Sequence, residues 1–236
     1  MKSLLRFASL LACACLLVSC AAKHQIAEGE ANARAQAILE KGHYSSEEKR
    51  LDCVAALSIS EQEGKIERTG SLSVDQPNGY FHMLLSESNN GVITENETWC
   101  WKEESEAGVI YHTAYTMEGR TIFSEGEATY GLSLTAGIAL YYTYLEIAYA
   151  PLRDFVSEEE NHDYEYSNFY ASEAGTLELD AKAPGTSYAL SFASYSPKRV
   201  NYKNFTEEGE TAKTGIIQYS YAVKSFPHPT DPSPEE

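Results

Sequence analysis

The six histidines are the first residues to test for catalysis or metal binding. No two of them have the short spacing that places two ligands on one face of a helix, and they stand at positions 24, 43, 82, 112, 162 and 228. No serine lies in the Gly-x-Ser-x-Gly pentapeptide of a nucleophile elbow, and no glycine-rich phosphate loop is present. These observations predict that the protein is not an enzyme and needs neither a cofactor nor a metal.

Two weaker sites for ions remain. His82 and His112 fall within predicted strands and form a pair only if both face one cleft, whereas isolated strand histidines are usually packed or half-exposed. Residues 157–163, SEEENHD, are acidic but lack the Asp-x-Asp-x-Asp-Gly framework of a calcium loop. We interpret this segment as a solvated surface loop, with a cation site or a partner contact as the alternatives.

The N-terminus carries the clearest chemical signal. Two positive charges, Lys2 and Arg6, precede an apolar run over residues 7–18, which is the layout of a secretory signal sequence and too short to span a bilayer. The run ends in Leu17-Val18-Ser19-Cys20, which resembles the lipobox of bacterial lipoproteins. The resemblance implies cleavage before Cys20, acylation of this cysteine, and a mature protein tethered to the cell envelope, at the outer membrane facing the periplasm.

The mature chain would be strongly acidic. Removal of Lys2 and Arg6 leaves 16 of the 18 basic residues against 35 acidic ones, a net charge of −19. Such a surface repels nucleic acid, so we expect no nucleic-acid partner. The expected partners are the membrane, through the acyl chains, and a neutral apolar or cationic ligand; the oligomeric state stays open.

Two cysteines remain in the body of the mature chain, Cys53 and Cys100. Export to an oxidising compartment predicts a disulfide between them. The alternative is a pair of buried thiols, because two leftover cysteines need not be adjacent in space. A metal site built on these two cysteines lacks further ligands.

Three segments are predicted to be helical. Residues 24–41 are rich in Ala, Glu and Gln and are expected to form a solvated helix or a partly ordered spacer that ends at Gly42. Ser45, with Glu48 three residues later, has the spacing of a capping box and predicts a short helix carrying Leu51. Residues 132–149 are apolar at spacings of three and four and predict a helix that Pro151 ends. Its Glu146 and many tyrosines favour a helix packed on a sheet over a transmembrane span.

The remaining pattern is that of β-strands. Apolar and polar residues alternate with a period of two, and turn sequences such as Pro77-Asn78-Gly79 and Asn89-Asn90-Gly91 separate the segments. No helix intervenes within the two runs, so we expect antiparallel hairpins. The predicted strands are 66–74, 80–85, 92–101, 109–116, 120–123, 177–181, 188–195, 200–205 and 215–223, with a possible tenth strand from residue 57.

The cluster Trp99-Cys100-Trp101 is the most unusual local feature. Alternation in a strand places both indoles on one face, where they either fill a core or line an apolar cavity. If a cavity exists, the predicted ligand-binding residues are Trp99, Trp101, Tyr111, Tyr115 and Tyr141.

Residues 57–101 resemble the opening of the lipoprotein-localisation carrier and receptor family (LolA/LolB-like). The similarity lies in a helix followed by the strand Gly70-Ser71-Leu72-Ser73-Val74, a Pro turn and an aromatic strand. The stretch Pro197-Lys198-Arg199-Val200 and the two strands after it are similar to that family's C-terminal hairpin. The resemblance implies a curved, unclosed antiparallel sheet, a half-barrel, whose concave apolar face shelters acyl chains beneath helices.

The sequence therefore predicts a mainly β (α+β) protein with nine or ten strands and helices packed on the sheet. We divide the chain into a signal peptide (1–19), a tether with an N-terminal helix (20–44), a β domain (45–226) and a disordered Pro-rich acidic tail (227–236). Two functions compete: a tethered module that binds an acyl chain or another apolar ligand, with lipid or lipoprotein trafficking as the process it would serve, and a structural or interaction lipoprotein without a ligand cavity. A dry apolar cavity would favour the first function, and a filled core the second.

Overall fold

A computed structural model describes residues 23–45, 50–117, 119–159, 162–172, 175–221 and 229. The predicted signal peptide and Cys20 lie outside the described residues, as does almost all of the predicted acidic tail. Within the described residues, no helix is long and apolar enough to cross a membrane.

The protein is mainly β, and its large antiparallel sheet is not closed. The described residues form two helices, α1 (Glu28–Lys41) and α2 (Glu127–Phe155), and fourteen strands, so the predicted nine or ten strands were too few. The strands are β1 (His24–Gln25), β2 (Tyr44–Ser45), β3 (Arg50–Leu51), β4 (Ala55–Glu63), β5 (Ile66–Asp75), β6 (Tyr80–Asn89), β7 (Val92–Ser105), β8 (Gly108–Met117), β9 (Arg120–Glu125), β10 (Glu165–Ala171), β11 (Leu177–Ala183), β12 (Thr186–Ala193), β13 (Ser196–Phe205) and β14 (Thr211–Tyr221).

Twelve of these strands form one sheet in the order β1-β10-β11-β12-β13-β14-β4-β5-β6-β7-β8-β9. The chain enters the middle of the sheet at β4, runs through hairpins to the edge strand β9, and crosses to the other half through α2. It then returns through hairpins to β14, which pairs with β4 from Ala55↔Tyr221 to Glu63↔Lys213. Asn90 and Gly91, with φ of 51° and 82°, form the predicted turn between β6 and β7, because such hairpins need positive φ at both positions.

The two faces of the sheet differ in what covers them. We call the face that contacts α2 the inner face. Gly137 of α2 lies directly on the Phe81 ring, so closely that an added Cβ would stand 2.4 Å from a ring carbon. Tyr141, Leu145 and Leu152 of the same helix are fully buried. We call the end of the inner face near the start of β4 and β6 its upper part, and the opposite end its lower part. The upper part is therefore filled by the helix.

Both helices differ in part from the sequence prediction. Helix α1 ends at Gly42 as predicted, but it begins at Glu28 and not at residue 24, because residues 24–25 form β1. It is also not solvated, because Ala31, Ala35 and Ile38 form a buried stripe. Helix α2 is longer than residues 132–149 and continues past Pro151 to Phe155. Proline removes one hydrogen bond from the helix, and the burial of Leu152 and Phe155 in the core compensates for that loss.

The predicted helix after Ser45 is wrong at residues 50–55, where the chain forms strands and a short connection, and residues 46–49 lie outside the described residues. Tyr44 and Leu51 are cross-strand partners in the small hairpin β2–β3, and both are buried. This burial outweighs the local capping signal, because tertiary packing overrides weak helix preferences. Strand β10 was also missed: a register shift between Ser167 and Tyr170, with Asn168 at φ 57°, breaks its alternation.

Candidate functional site

The structure separates the five predicted ligand-binding residues. Cys100 pairs with Phe81 and Thr113 on the inner face, so its neighbours Trp99 and Trp101 lie on the outer face. Tyr111 pairs with Lys102, two residues from Cys100, and its ring lies 5.0 Å from that of Tyr130, on the inner face. The prediction that the two indoles share one face is confirmed, but the prediction that they line one site with the tyrosines is wrong.

Three tyrosines were predicted to bind the ligand. Of these, Tyr141 of α2 is fully buried in the core, and Tyr111 is half-buried. Tyr115 lies four residues after Tyr111 in β8, on the same face, and is 38% exposed. The tyrosines therefore share the inner face, but only Tyr111 and Tyr115 present surface to a ligand.

The two tryptophans belong to a packed cluster on the outer face. Trp99 and Trp101 are only 9% and 6% exposed, and they pack with Tyr80, Ala114 and Phe123. His82 stacks on Trp99 at 5.2 Å, and His112 stacks on Trp101 at 4.9 Å. The two histidines thus pack against different indoles rather than forming a pair in a cleft. Filling of the cluster, not ligand binding, explains the Trp99-Cys100-Trp101 sequence.

An apolar strip that sequence reasoning missed runs along one side of α2. Met83 and Leu85 of β6 pair with Leu72 and Gly70, which places them on the inner face. On α2, Leu140, Tyr144 and Ile147 fall three and four residues apart and share one side of the helix. All five are half-buried and pack against the core. Each of these side chains therefore keeps part of its apolar surface uncovered.

The lower end of this strip is charged. Glu61 of β4 is buried, and its carboxylate accepts hydrogen bonds from Lys213 Nζ at 2.8 Å and from the Tyr202 hydroxyl. The absence of a side chain at Gly215, which pairs with both Glu61 and Tyr202, leaves room for the Tyr202 ring. Burial and the Glu61 carboxylate raise the pKa of the Tyr202 hydroxyl, so it stays a donor at neutral pH.

A second ion-pair group lies next to it on the same face. Arg68 Nε contacts Glu87 Oε2 at 2.7 Å, and Arg68 Nη1 contacts Glu63 Oε2 at 3.1 Å. Burial and the charge of Glu61 raise the pKa of the Tyr144 hydroxyl, and the charge of Arg68 lowers it. Tyr144 therefore lies where the apolar strip meets the charged end. The arrangement suits an amphipathic molecule, with an apolar tail along α2 and a polar head near Glu61 and Arg68.

The cavities described next contain no residue of α2. One open groove of about 620 Å³ crosses β11–β14 and β4 and is lined by polar and apolar residues, among them Glu61 and Tyr202, and another of about 610 Å³ runs along β10–β13. A third, of about 860 Å³, lies among the turns near Pro184 and Thr206. Within the described residues, Tyr141, Leu145 and Leu152 are fully buried beneath α2, so a ligand on the inner face must use the open side of the helix.

The predicted disulfide is not formed in the structure, where Cys53 and Cys100 are both thiols. Cys100 is buried in β7 beside Ser133 and Thr113, whereas Cys53 lies near Tyr141 and Tyr149, two or more helical turns farther along α2. The two cysteines therefore contact different parts of the helix. Burial raises the pKa of the Cys100 thiol to about 11, which keeps it unreactive at neutral pH.

Alkylation of the native protein without reductant tests this assignment. In protein treated with a metal chelator, we expect iodoacetamide to label Cys53 rapidly, because it is partly exposed, and Cys100 only after denaturation. Peptide mass spectrometry measures both. Recovery of a peptide that joins Cys53 to Cys100 from non-reduced exported protein would show that the disulfide forms.

In the acidic segment, Asp163 N donates to Asp154 Oδ1 at 3.0 Å, and His162 Nδ1 lies 3.5 Å from Asp154 Oδ2. Among the described residues of this segment, the acidic side chains do not converge on a cation site. Its described residues 157–159 and 162–163 belong to no helix or strand, in agreement with a surface loop.

No protein-family model matches this chain, and a comparison with curated protein sequences finds no relative.

Proposed function

We propose that the protein is a membrane-anchored exported lipoprotein whose β domain, a half-barrel, binds an acyl chain or another apolar ligand. The tether is Cys20, and the ligand lies on the inner face along the open side of α2. Lipid or lipoprotein trafficking is the process such a module would serve.

One observation carries the proposal: the half-buried apolar strip of Met83, Leu85, Leu140, Tyr144 and Ile147 beside a charged end. Half-buried aliphatic side chains on the inner face of an open sheet gain free energy when a ligand covers them, at ~25 cal/mol per Å² of apolar surface. The charged residues at the lower end, near Glu61 and Arg68, would contact a polar head group that stays exposed to water. An acyl chain with a head group has this distribution of polarity.

The fold supports the same proposal. An unclosed antiparallel sheet with a long helix across its inner face agrees with what the resemblance to lipoprotein-localisation carriers and receptors implies. That family shelters acyl chains between sheet and helices. Here the space below α2 is filled, so we place the chain beside the helix rather than beneath it.

A fluorescent fatty acid tests the proposal with delipidated protein that lacks residues 1–20. We expect saturable binding at micromolar concentrations, and Leu140→Gln should weaken it roughly fivefold to tenfold, since a half-buried leucine contributes about 1 kcal/mol. Leu132→Gln is the matched control, because Leu132 lies on the same helix and is 76% exposed to solvent. This control variant should bind like the wild type.

Thermal melting must show that both variants remain folded. If the folded wild-type protein binds no lipid probe at micromolar concentrations, or if Leu132→Gln weakens binding as much as Leu140→Gln, the inner face is not the site.

A second candidate, an interaction module of the cell envelope, is favoured by exposed apolar residues at two hairpin tips. Val92 and Ile93 are 68% and 66% exposed beside the β6–β7 turn, and Val109 and Ile110 are also exposed beside the β7–β8 turn. The filled core below α2 agrees with this function as well. Failure of the lipid test, with the protein folded, would leave this candidate as the better explanation.

A further inference from the structure

The small hairpin β2–β3 brings three potential metal ligands together. His43 and Asp52 face each other where the hairpin opens, and Asp52 N donates to the carbonyl oxygen of His43 at 3.2 Å. Cys53 follows directly and leads into β4. One imidazole nitrogen, one carboxylate oxygen and the Cys53 sulfur all lie within 4.8 Å of one another.

These three donors have the chemistry of a zinc site. Zinc accepts imidazole nitrogen, carboxylate oxygen and thiolate sulfur, each at about 2.0–2.3 Å. Calcium and magnesium require sets of oxygen ligands, so a thiolate beside an imidazole argues against them. His43 Nδ1 already lies 2.9 Å from Asp52 Oδ1, so two of the three donors are close together without an ion.

The backbone that carries the ligands is held by the core. Tyr44, next to His43, and Leu51, next to Asp52, are both buried. The Tyr44 ring packs on Tyr142 and Tyr149 of α2, and its hydroxyl donates to Glu146 Oε1 at 2.7 Å. A site whose ligands are fixed in this way loses little conformational freedom when it binds an ion.

The His43 ring is also supported from β14. It packs on the Tyr221 ring with a centroid distance of 5.7 Å. The Tyr221 ring therefore limits the orientations that the imidazole can take.

We propose that His43, Asp52 and Cys53 bind one Zn²⁺ ion, with a fourth position open to water. The ion would link the hairpin β2–β3 to the start of β4, beside the last described residues of β14. Binding releases the Cys53 thiol proton, because only the thiolate is a ligand, so affinity falls as the pH is lowered. This site is separate from the apolar strip, and its test does not depend on the proposed lipid binding.

Cobalt titration of the full-length processed protein, purified in detergent and stripped of metal, tests the proposal. Co²⁺ occupies zinc sites and reports a thiolate ligand through a sulfur-to-cobalt charge-transfer band. We expect one equivalent to produce this band and Zn²⁺ to abolish it by displacement. Cys53→Ser should remove the band, and His43→Gln should weaken binding by roughly tenfold or more, as the loss of supporting groups already does in metal sites.

Cys100→Ala is the matched control, because Cys100 is the other thiol in the described residues and lies in β7. It should keep the band. His43 is 44% exposed on its side chain, so His43→Gln should fold even if Cys53→Ser does not, and circular dichroism checks both. Absence of the band in the wild type at stoichiometric Co²⁺, or its persistence in folded Cys53→Ser, overturns the proposal.

Discussion

Lys213→Met is expected to lower the free energy of unfolding by about 3 kcal/mol, the lower end for breaking a buried ion pair. Lys213 contacts the Glu61 carboxylate at 2.8 Å, and the Glu61 side chain is only 8% exposed. Without the ammonium group, a buried carboxylate keeps its desolvation penalty and only part of its hydrogen bonding. The Tyr202 hydroxyl still donates to it, which is why we expect the lower end of the range.

Thermal melting and urea titration measure this change, and the melting temperature should fall by roughly 6–12 °C for a domain of this size. Glu61→Gln combined with Lys213→Met should recover most of the loss, because the amide oxygen accepts the Tyr202 hydrogen bond without a charge. Lys65→Met, at the exposed β4–β5 turn, is the matched control and should change stability by less than about 0.5 kcal/mol. A double variant as unstable as Lys213→Met would show that the buried charge is not the cause.

Cys20→Ser is expected to abolish lipid labelling and to release the protein from the membrane fraction. The proposed lipoprotein tether requires acylation at the Cys20 thiol, and the serine variant lacks this thiol. A single acyl chain binds a membrane only weakly and reversibly. A variant without any acyl chain should therefore not stay in the membrane fraction.

Metabolic labelling with a fatty-acid probe and cell fractionation measure this effect. Cys53→Ser is the control and should keep its label, because its thiol lies in the folded domain. Continued labelling of Cys20→Ser would contradict the lipoprotein assignment, and the N-terminal run would then need another interpretation.

Much of the fold could be predicted from local pattern. The strands from β5 to β9 and from β11 to β14 alternate apolar and polar residues, and three of their turns carry Asn-Gly or Pro-Gly. Helix α1 was also predicted with its end at Gly42. Elements whose local signal conflicts with packing were missed: β2 and β3, where burial of Tyr44 and Leu51 overrides a capping box, and β10, where a bulge breaks the alternation.

Little of the candidate site could be predicted in this way. The apolar strip combines residues from β6 and α2, and each half by itself reads as ordinary core sequence. The hydrogen bond from Tyr202 to Glu61 joins residues 141 positions apart, and no local rule indicates such a contact. The cluster of His43, Asp52 and Cys53 has no recognised ligand spacing, and only the pairing of β2 with β3 brings its members together.

The sequence by itself determined the strand periodicity, the acidic balance and the placement of Trp99 and Trp101 on one face, because side-chain direction in a strand follows from backbone geometry alone. Only the tertiary structure decided whether the two indoles lie on the inner or the outer face of the sheet. The choice depends on where α2 packs: Gly137 seats the helix on Phe81 and therefore on the Cys100 side of β7, which leaves both indoles outside. The pairing of β4 with β14 was decided in the same way, because strand partners are selected by contacts along the whole sheet.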